Sequence, residues 1–141
     1  MFHLSQSSLS HIEGVDPRLV QVCKRAIEIT LVDYGYPDGG GVRTLNYQRE
    51  KFAQGVSKAD GIVHLSNHQL WPGEKYGRAI DFYAYVDGKA SWEPEHLAMV
   101  AAAHLQAASE YGYAVEWGGL WKGSQEIYGW DMCHIQLKKG T

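Results

Sequence analysis

Two short stretches that alternate apolar and polar residues constrain the fold of this chain more than any other feature. From Ala79 to Val86, Ile80, Phe82 and Ala84 fall on one face of an extended strand, and Asp81, Tyr83 and Tyr85 on the other. From Cys133 to Leu137, Cys133, Ile135 and Leu137 share one face, and His134 and Gln136 the other. Each stretch reads as a half-buried strand with one open, polar face.

The rest of the chain is mainly helix and loop. Asp16 followed by Pro17 reads as an N-cap and first helical residue. Leu19, Val20, Cys23, Ala26, Ile27 and Thr30 or Leu31 continue that helix at helical spacing. Pro37 to Gly41 is a loop, after which Thr44 caps a second helix, Leu45 to Gln54, ended by Gly55. Val56 to Gly77 is mostly loop, and Asp87-Gly88 is a hairpin-type turn. Ser91 is expected to cap the longest helix, which runs to Tyr111 and stops at Gly112. Leu97, Val100, Ala101, His104, Leu105 and Ala108 form its inner face. Tyr113 to Trp117 is a further short strand. No βαβ pattern repeats, so the expected class is α+β: a small, mainly antiparallel sheet packed with helices, in one domain over residues 1–141.

Composition excludes several roles. A net charge of -3 gives no reason to expect a nucleic-acid partner. The longest apolar run, Leu97 to Ala103, is far short of the roughly 20 residues a membrane span needs. The N-terminus has neither the basic nor the apolar region of a secretory signal, so synthesis and initial residence in a cytoplasm are expected. Cys23 and Cys133 form no C-x-x-C pair and read as buried free thiols of a reducing compartment.

The chemistry lies on the open strand faces. Asp81 and His134 fall opposite the apolar sets of their strands, and His68, in the loop before the first strand, can reach the same point. Two histidines and one carboxylate leave a fourth tetrahedral position open, the arrangement of a catalytic zinc site. Spacing alone fits surface or hydrogen-bonded residues as well, because H-E-x-x-H is missing. His64 is set aside as a ligand, His104 is read as a core histidine, and His3, His11 and His96 as surface residues. Cys133 is read as core packing.

Longer patterns add a resemblance. Ser66-Asn67-His68 followed by Gly77-Arg78-Ala79-Ile80-Asp81-Phe82 resembles the S-x-H…G-x-A-x-D pattern of the zinc D-alanyl-D-alanine carboxypeptidases and L-alanyl-D-glutamate endopeptidases. Asp131-Met132-Cys133-His134 is similar to that family's second element, an acid three residues before the last histidine. Gly41-Val42-Arg43-Thr44 with Gln48, and Glu116-Trp117-Gly118-Gly119-Leu120-Trp121, resemble its G-x-R-[ST] and W-G-G-x-W segments, in the family's order. Leu4 to Ser10, Gly14 to Val20 and Lys24 to Glu28 resemble the start of single-domain phage endolysins.

The resemblance implies a fold of the Hedgehog and D,D-peptidase type and a role for each residue. His68, Asp81 and His134 would hold Zn2+, and Asp131 would be the general base. Because it stands three residues before His134, Asp131 must lie ahead of the regular strand or at a bulge. Arg43 would bind the substrate carbonyl or its developing oxyanion. Ser66 would bind substrate or orient His68, Gln48 would contribute to substrate binding, and Trp117 and Trp121 would wall the groove. Glu116 and Glu126 stand as alternative bases. The implied activity is hydrolysis of peptidoglycan stem peptides, foremost at the L-alanyl-D-glutamate bond, by a monomer. It would wait in the host cytoplasm and reach the periplasmic wall at lysis, without stable membrane insertion. A chain without a wall-binding module suits a thin Gram-negative wall. A D-alanyl-D-alanine carboxypeptidase or dipeptidase, and a non-catalytic wall-binding module, are the alternative readings. The stretch Gln69 to Tyr76, longer than in many members, is read as a loop insertion on the groove rim.

Overall fold

The computed structural model describes residues 1–55, 57, 59–62, 64–122, 129 and 131–141. The elements in chain order are α1 (Gln6–His11), α2 (Pro17–Ile29), β1 (Asp33–Gly35), α3 (Leu45–Ala53), β2 (Ala79–Asp81), β3 (Tyr83–Val86), β4 (Lys89–Ser91), α4 (Pro94–Tyr111), β5 (Val115–Trp117), a 3₁₀ turn (Gly118–Leu120) and β6 (His134–Leu137). The class is the expected α+β. The strands form two three-stranded antiparallel sheets, ordered β1-β3-β4 and β2-β6-β5.

The division into two sheets corrects the single strand expected over Ala79 to Val86. Phe82 interrupts it: its N–H donates to the Cys133 carbonyl at 2.9 Å, and the chain then leaves β6 and pairs with β1. Alternation continues smoothly through the break because Ile80, Phe82 and Ala84 are all fully buried. The hairpin from β3 to β4 turns at Asp87 and Gly88 with φ of 52° and 77°, the positive values a two-residue turn of this hand requires.

Local chemistry explains the helix starts. The Asp16 carboxylate accepts from the Arg18 N–H ahead of Pro17, and the Thr44 hydroxyl accepts from the Tyr47 N–H, both as expected. Ser5 does the same for α1, an element with too few apolar positions to show a period. The start of α4 needs correction, since Glu93 is its N-cap and Pro94 its first residue. Ser91 instead ends β4, where its hydroxyl lies 2.7 Å from His96 Nδ1.

Helices α2 and α4 pack together and bury Leu19, Val22, Cys23 and Ala26 with Val100, Ala101 and Ala107. Leu105, expected on the inner face of α4, is only half-buried, while Ala103 and Ala107 are covered. His104 is fully buried, as its apolar-face position implied. Its Nδ1–H donates to the Val100 carbonyl at 2.9 Å, so Nε2 accepts from the Tyr36 hydroxyl at 2.7 Å.

Burial lowers the pKa of His104 from 6.5 to about 4. The depressed value means the folded state resists a proton that the unfolded chain accepts. Its contribution is therefore intact above pH 6.5 and is lost as pH falls toward 4, by about 3 kcal/mol in all. Urea titrations across that window should show the loss, and the slope should be shallower in His104→Gln than in wild type.

Candidate metal centre

Antiparallel pairing of β2 with β6 sets Asp81 directly opposite His134. His68 arrives from the loop ahead of β2, pinned by a bond from the Arg43 N–H to its carbonyl at 2.8 Å. Ser66 shapes that loop from within. Its hydroxyl accepts the His68 N–H at 3.1 Å, and its own N–H and carbonyl are taken by Gln69 and Trp71. Ser66 is buried, which fits the orienting role of the two expected for it.

Three donor atoms converge. His68 Nε2 lies 3.2 Å from His134 Nδ1 and 3.3 Å from Asp81 Oδ1, and His134 Nδ1 lies 3.1 Å from the same oxygen. Ligands about 2.0–2.1 Å from a tetrahedral ion stand about 3.3–3.4 Å apart, so this triangle fits zinc after opening by a few tenths of an ångström.

The proton positions suit a metal too. The Gly41 carbonyl, 2.9 Å from His68 Nδ1, can only accept, so the lone pair of His68 is on Nε2. His134 Nε2 lies 2.8 Å from Gln136 Oε1. That amide is fixed on both sides: its Nε2 donates to Glu116 Oε1 at 2.6 Å, and its oxygen also accepts from Asn67 Nδ2 at 2.8 Å. His134 must therefore donate from Nε2 and present Nδ1 to the cluster.

Electrostatics divides the groups. Burial works against charge at Asp81, but the neighbouring imidazoles outweigh it and hold this carboxyl well below the usual range. At His134 burial is likewise outweighed, by the hydrogen bond to Asp81 and the charges of Asp81 and Asp131, and its pKa is raised. At His68 burial prevails and lowers it.

Arg43 completes the environment of Asp81. Its Nη2 donates to Oδ2 at 2.7 Å, Nε to the Gly39 carbonyl at 2.8 Å and Nη1 to Gln48 Oε1 at 3.1 Å. Both Asp81 oxygens are thus engaged. Gln48, expected to touch substrate, is fully enclosed, and its amide nitrogen is spent on Ser57 and Ala59. Its place is behind Arg43, which it steadies.

Asp131 sits in a turn ahead of β6, not in the regular strand, and Oδ2 lies 3.9 Å from His134 Nδ1. Burial pushes its carboxyl pKa up. Gly118 packs against it so closely that a methyl there would run into the Asp131 carbonyl. A cleft of about 440 Å³ opens beside these groups, lined by Arg43, Tyr47, Lys51, Trp92, Asp131 and Cys133.

Cys133 packs against the core as expected and also reaches the cleft. It is half-buried on the cleft wall, with Sγ 3.9 Å from Asp131 Oδ1, and burial holds the thiol protonated. Asp81, Asp131 and Cys133 form a second group of possible ligands. It shares Asp81 with the first and lacks the paired imidazoles. The Trp121 ring lies 5.3 Å from that of His134, whereas Trp117 packs on the core and gives its N–H to the Met132 carbonyl. Glu116 is engaged with Gln136, and His64 is exposed. Glu126 lies outside the described residues. His11 and His96 are half-buried, not fully on the surface.

The network of Asn67, Gln136 and Glu116 escaped the sequence reading, although the placement of Gln136 beside His134 on one strand face was its signal. Gln136→Leu removes the acceptor for His134 Nε2–H and should weaken zinc binding about 10- to 100-fold, measured by competition with a chelating dye.

The α+β fold thus brings together two histidines and one carboxylate that could hold a metal ion. The signature of the phage L-alanyl-D-glutamate peptidase family matches residues 1–137, and the chain belongs to that family. It is 29% identical over 141 residues to the L-alanyl-D-glutamate peptidase of Escherichia phage T5, covering 99% of this chain and 92% of that protein. The crystal structure of the Serratia marcescens L-Ala D-Glu endopeptidase ChiX superposes with a TM-score of 0.74 at 33% identity, covering 96% of this chain and 90% of that one.

Proposed function

We propose that this chain is a phage-type endolysin that hydrolyses the L-alanyl-D-glutamate bond of peptidoglycan stem peptides with zinc at His68, Asp81 and His134. The observation that carries the reading is the convergence of three lone-pair donors within 3.1–3.3 Å, beside a cleft that also holds Asp131. Family membership and the named activities of the T5 and Serratia relatives support the substrate and the bond. No helix among the described residues is long and apolar enough to cross a membrane.

Zinc held there supplies a Lewis acid and lowers the pKa of a water to about 7. Asp131 takes the proton of the attacking water on its carboxylate and returns it to the departing amine. Its burial suits that task, because a raised pKa brings the carboxyl closer to the working pH. Arg43 acts twice. Three of its five N–H donors hold Gly39, Gln48 and Asp81, and the other two, without a partner among the described residues, would serve a carbonyl oxygen as negative charge builds on it. Trp121 shields the edge of the cluster from water.

Mass spectrometry of digested, purified peptidoglycan tests the bond. New carboxy-terminal L-alanine and amino-terminal D-glutamate are expected. Release of free D-alanine instead would show a carboxypeptidase.

A further inference from the structure

The peptide bond assigned above leaves a charge for the enzyme to recognise. A glutamate whose amine is acylated, and one of whose carboxyls carries the chain onward, keeps its other carboxyl as a free anion. That anion belongs to the departing half of the substrate, within a few ångströms of the bond cut. Asp38 and Asp131 line the cleft beside the cluster, together with Asp81, whose charge Arg43 balances. An anionic group enters it favourably only where a cation is waiting.

Two cations line the cleft, and they differ in their commitments. Arg43 is balanced by Asp81 and is only 11% exposed. Lys51 is half-buried, and no carboxylate among the described residues pairs with it. Its ammonium lies over the Tyr47 ring, 5.2 Å from the centroid, and the Arg43 guanidinium lies 5.8 Å from the same centroid. The ring itself is fixed, because the Tyr47 hydroxyl donates to the Asp38 carbonyl at 3.0 Å. Lys51 stands one helical turn beyond Tyr47 on α3, so a rigid aromatic ring supports a long, otherwise mobile amine at the cleft wall.

We infer that Lys51, held over Tyr47, is a specificity-determining residue that binds the free carboxylate of the substrate's D-glutamate. The inference rests on the proposed peptidoglycan activity and adds a preference to it. Stem peptides whose D-glutamate carboxylate is free are cleaved well, and those in which it is a primary amide are cleaved poorly. A charge-assisted hydrogen bond of this kind is expected to change kcat/KM about tenfold, chiefly through KM.

The test compares two synthetic peptides, each an L-alanyl-D-glutamyl stem extended by a diamino acid. One carries the D-glutamate carboxylate free and the other as its amide. Zinc-loaded wild type should prefer the free acid about tenfold. Lys51→Met should lose that preference by raising KM for the free acid about tenfold and changing the amide's constants far less, while Lys51→Arg should retain most of it. Equal cleavage of both peptides by wild type, or an equal loss on both in Lys51→Met, would overturn the inference and leave the peptidase reading standing. Cleavage of neither peptide by wild type would overturn both.

Discussion

Replacing Asp131 with asparagine should lower turnover by about 10²- to 10⁴-fold while zinc still binds, because the amide keeps the shape of the side chain and cannot take a proton. The same change should not destabilise the metal-free protein. Burial raises the Asp131 pKa, so the ionised carboxylate at neutral pH is held at a cost that the unfolded chain does not bear. The variant's Tm, measured with chelator present, should equal or exceed that of wild type. A coincident fall in Tm and activity would mean that Asp131 supports the β6 turn instead of the reaction.

The second large effect concerns Asp81, on which four interactions meet: His68 and His134 at Oδ1, Arg43 at Oδ2, and the backbone N–H bond to the Gly40 carbonyl at 2.7 Å. Asp81→Ala removes a proposed zinc ligand and leaves the Arg43 guanidinium buried without its counter-charge. Breaking one side of a buried pair costs about 3–5 kcal/mol. The variant should bind no stoichiometric zinc, hydrolyse nothing measurable, and unfold at lower urea even in chelator. Asp81→Asn should lose zinc equally but keep more stability, since its amide oxygen can still accept from Arg43. Wild-type stability should fall in acid for the same reason. The Asp81 pKa is depressed, so its contribution is present above the ordinary carboxyl value of 3.8 and lost progressively below it.

Alternation revealed which face Asp81 and His134 occupy, because two short apolar sets, Ile80 with Phe82 and Ile135 with Leu137, had to be buried. It could not reveal that the two residues are cross-strand partners, which depends on the register of strands far apart in sequence. The ordered resemblance supplied that juxtaposition, together with Arg43 and Asp131. Three-residue strands such as β1 and β4 carry too little periodicity to be seen, and the break at Phe82 is invisible because Phe82 is buried on both sides of it. The supporting residues were hardest to read. Nothing local distinguishes Lys51 from a surface polar residue, and the partners of Gln48 and Gln136 follow only from what the fold sets beside them. Gln48 shows this most plainly: its motif suggested substrate contact, and its full burial behind Arg43 gives it another task.

The central claim is that one zinc at His68, Asp81 and His134 makes the site work. It is tested most directly by titrating zinc into metal-free protein while following hydrolysis of the free-acid stem peptide. Activity absent at the start, rising linearly and levelling at one equivalent is the predicted result. Full activity in the chelated protein, or a rise unrelated to one equivalent, would contradict it.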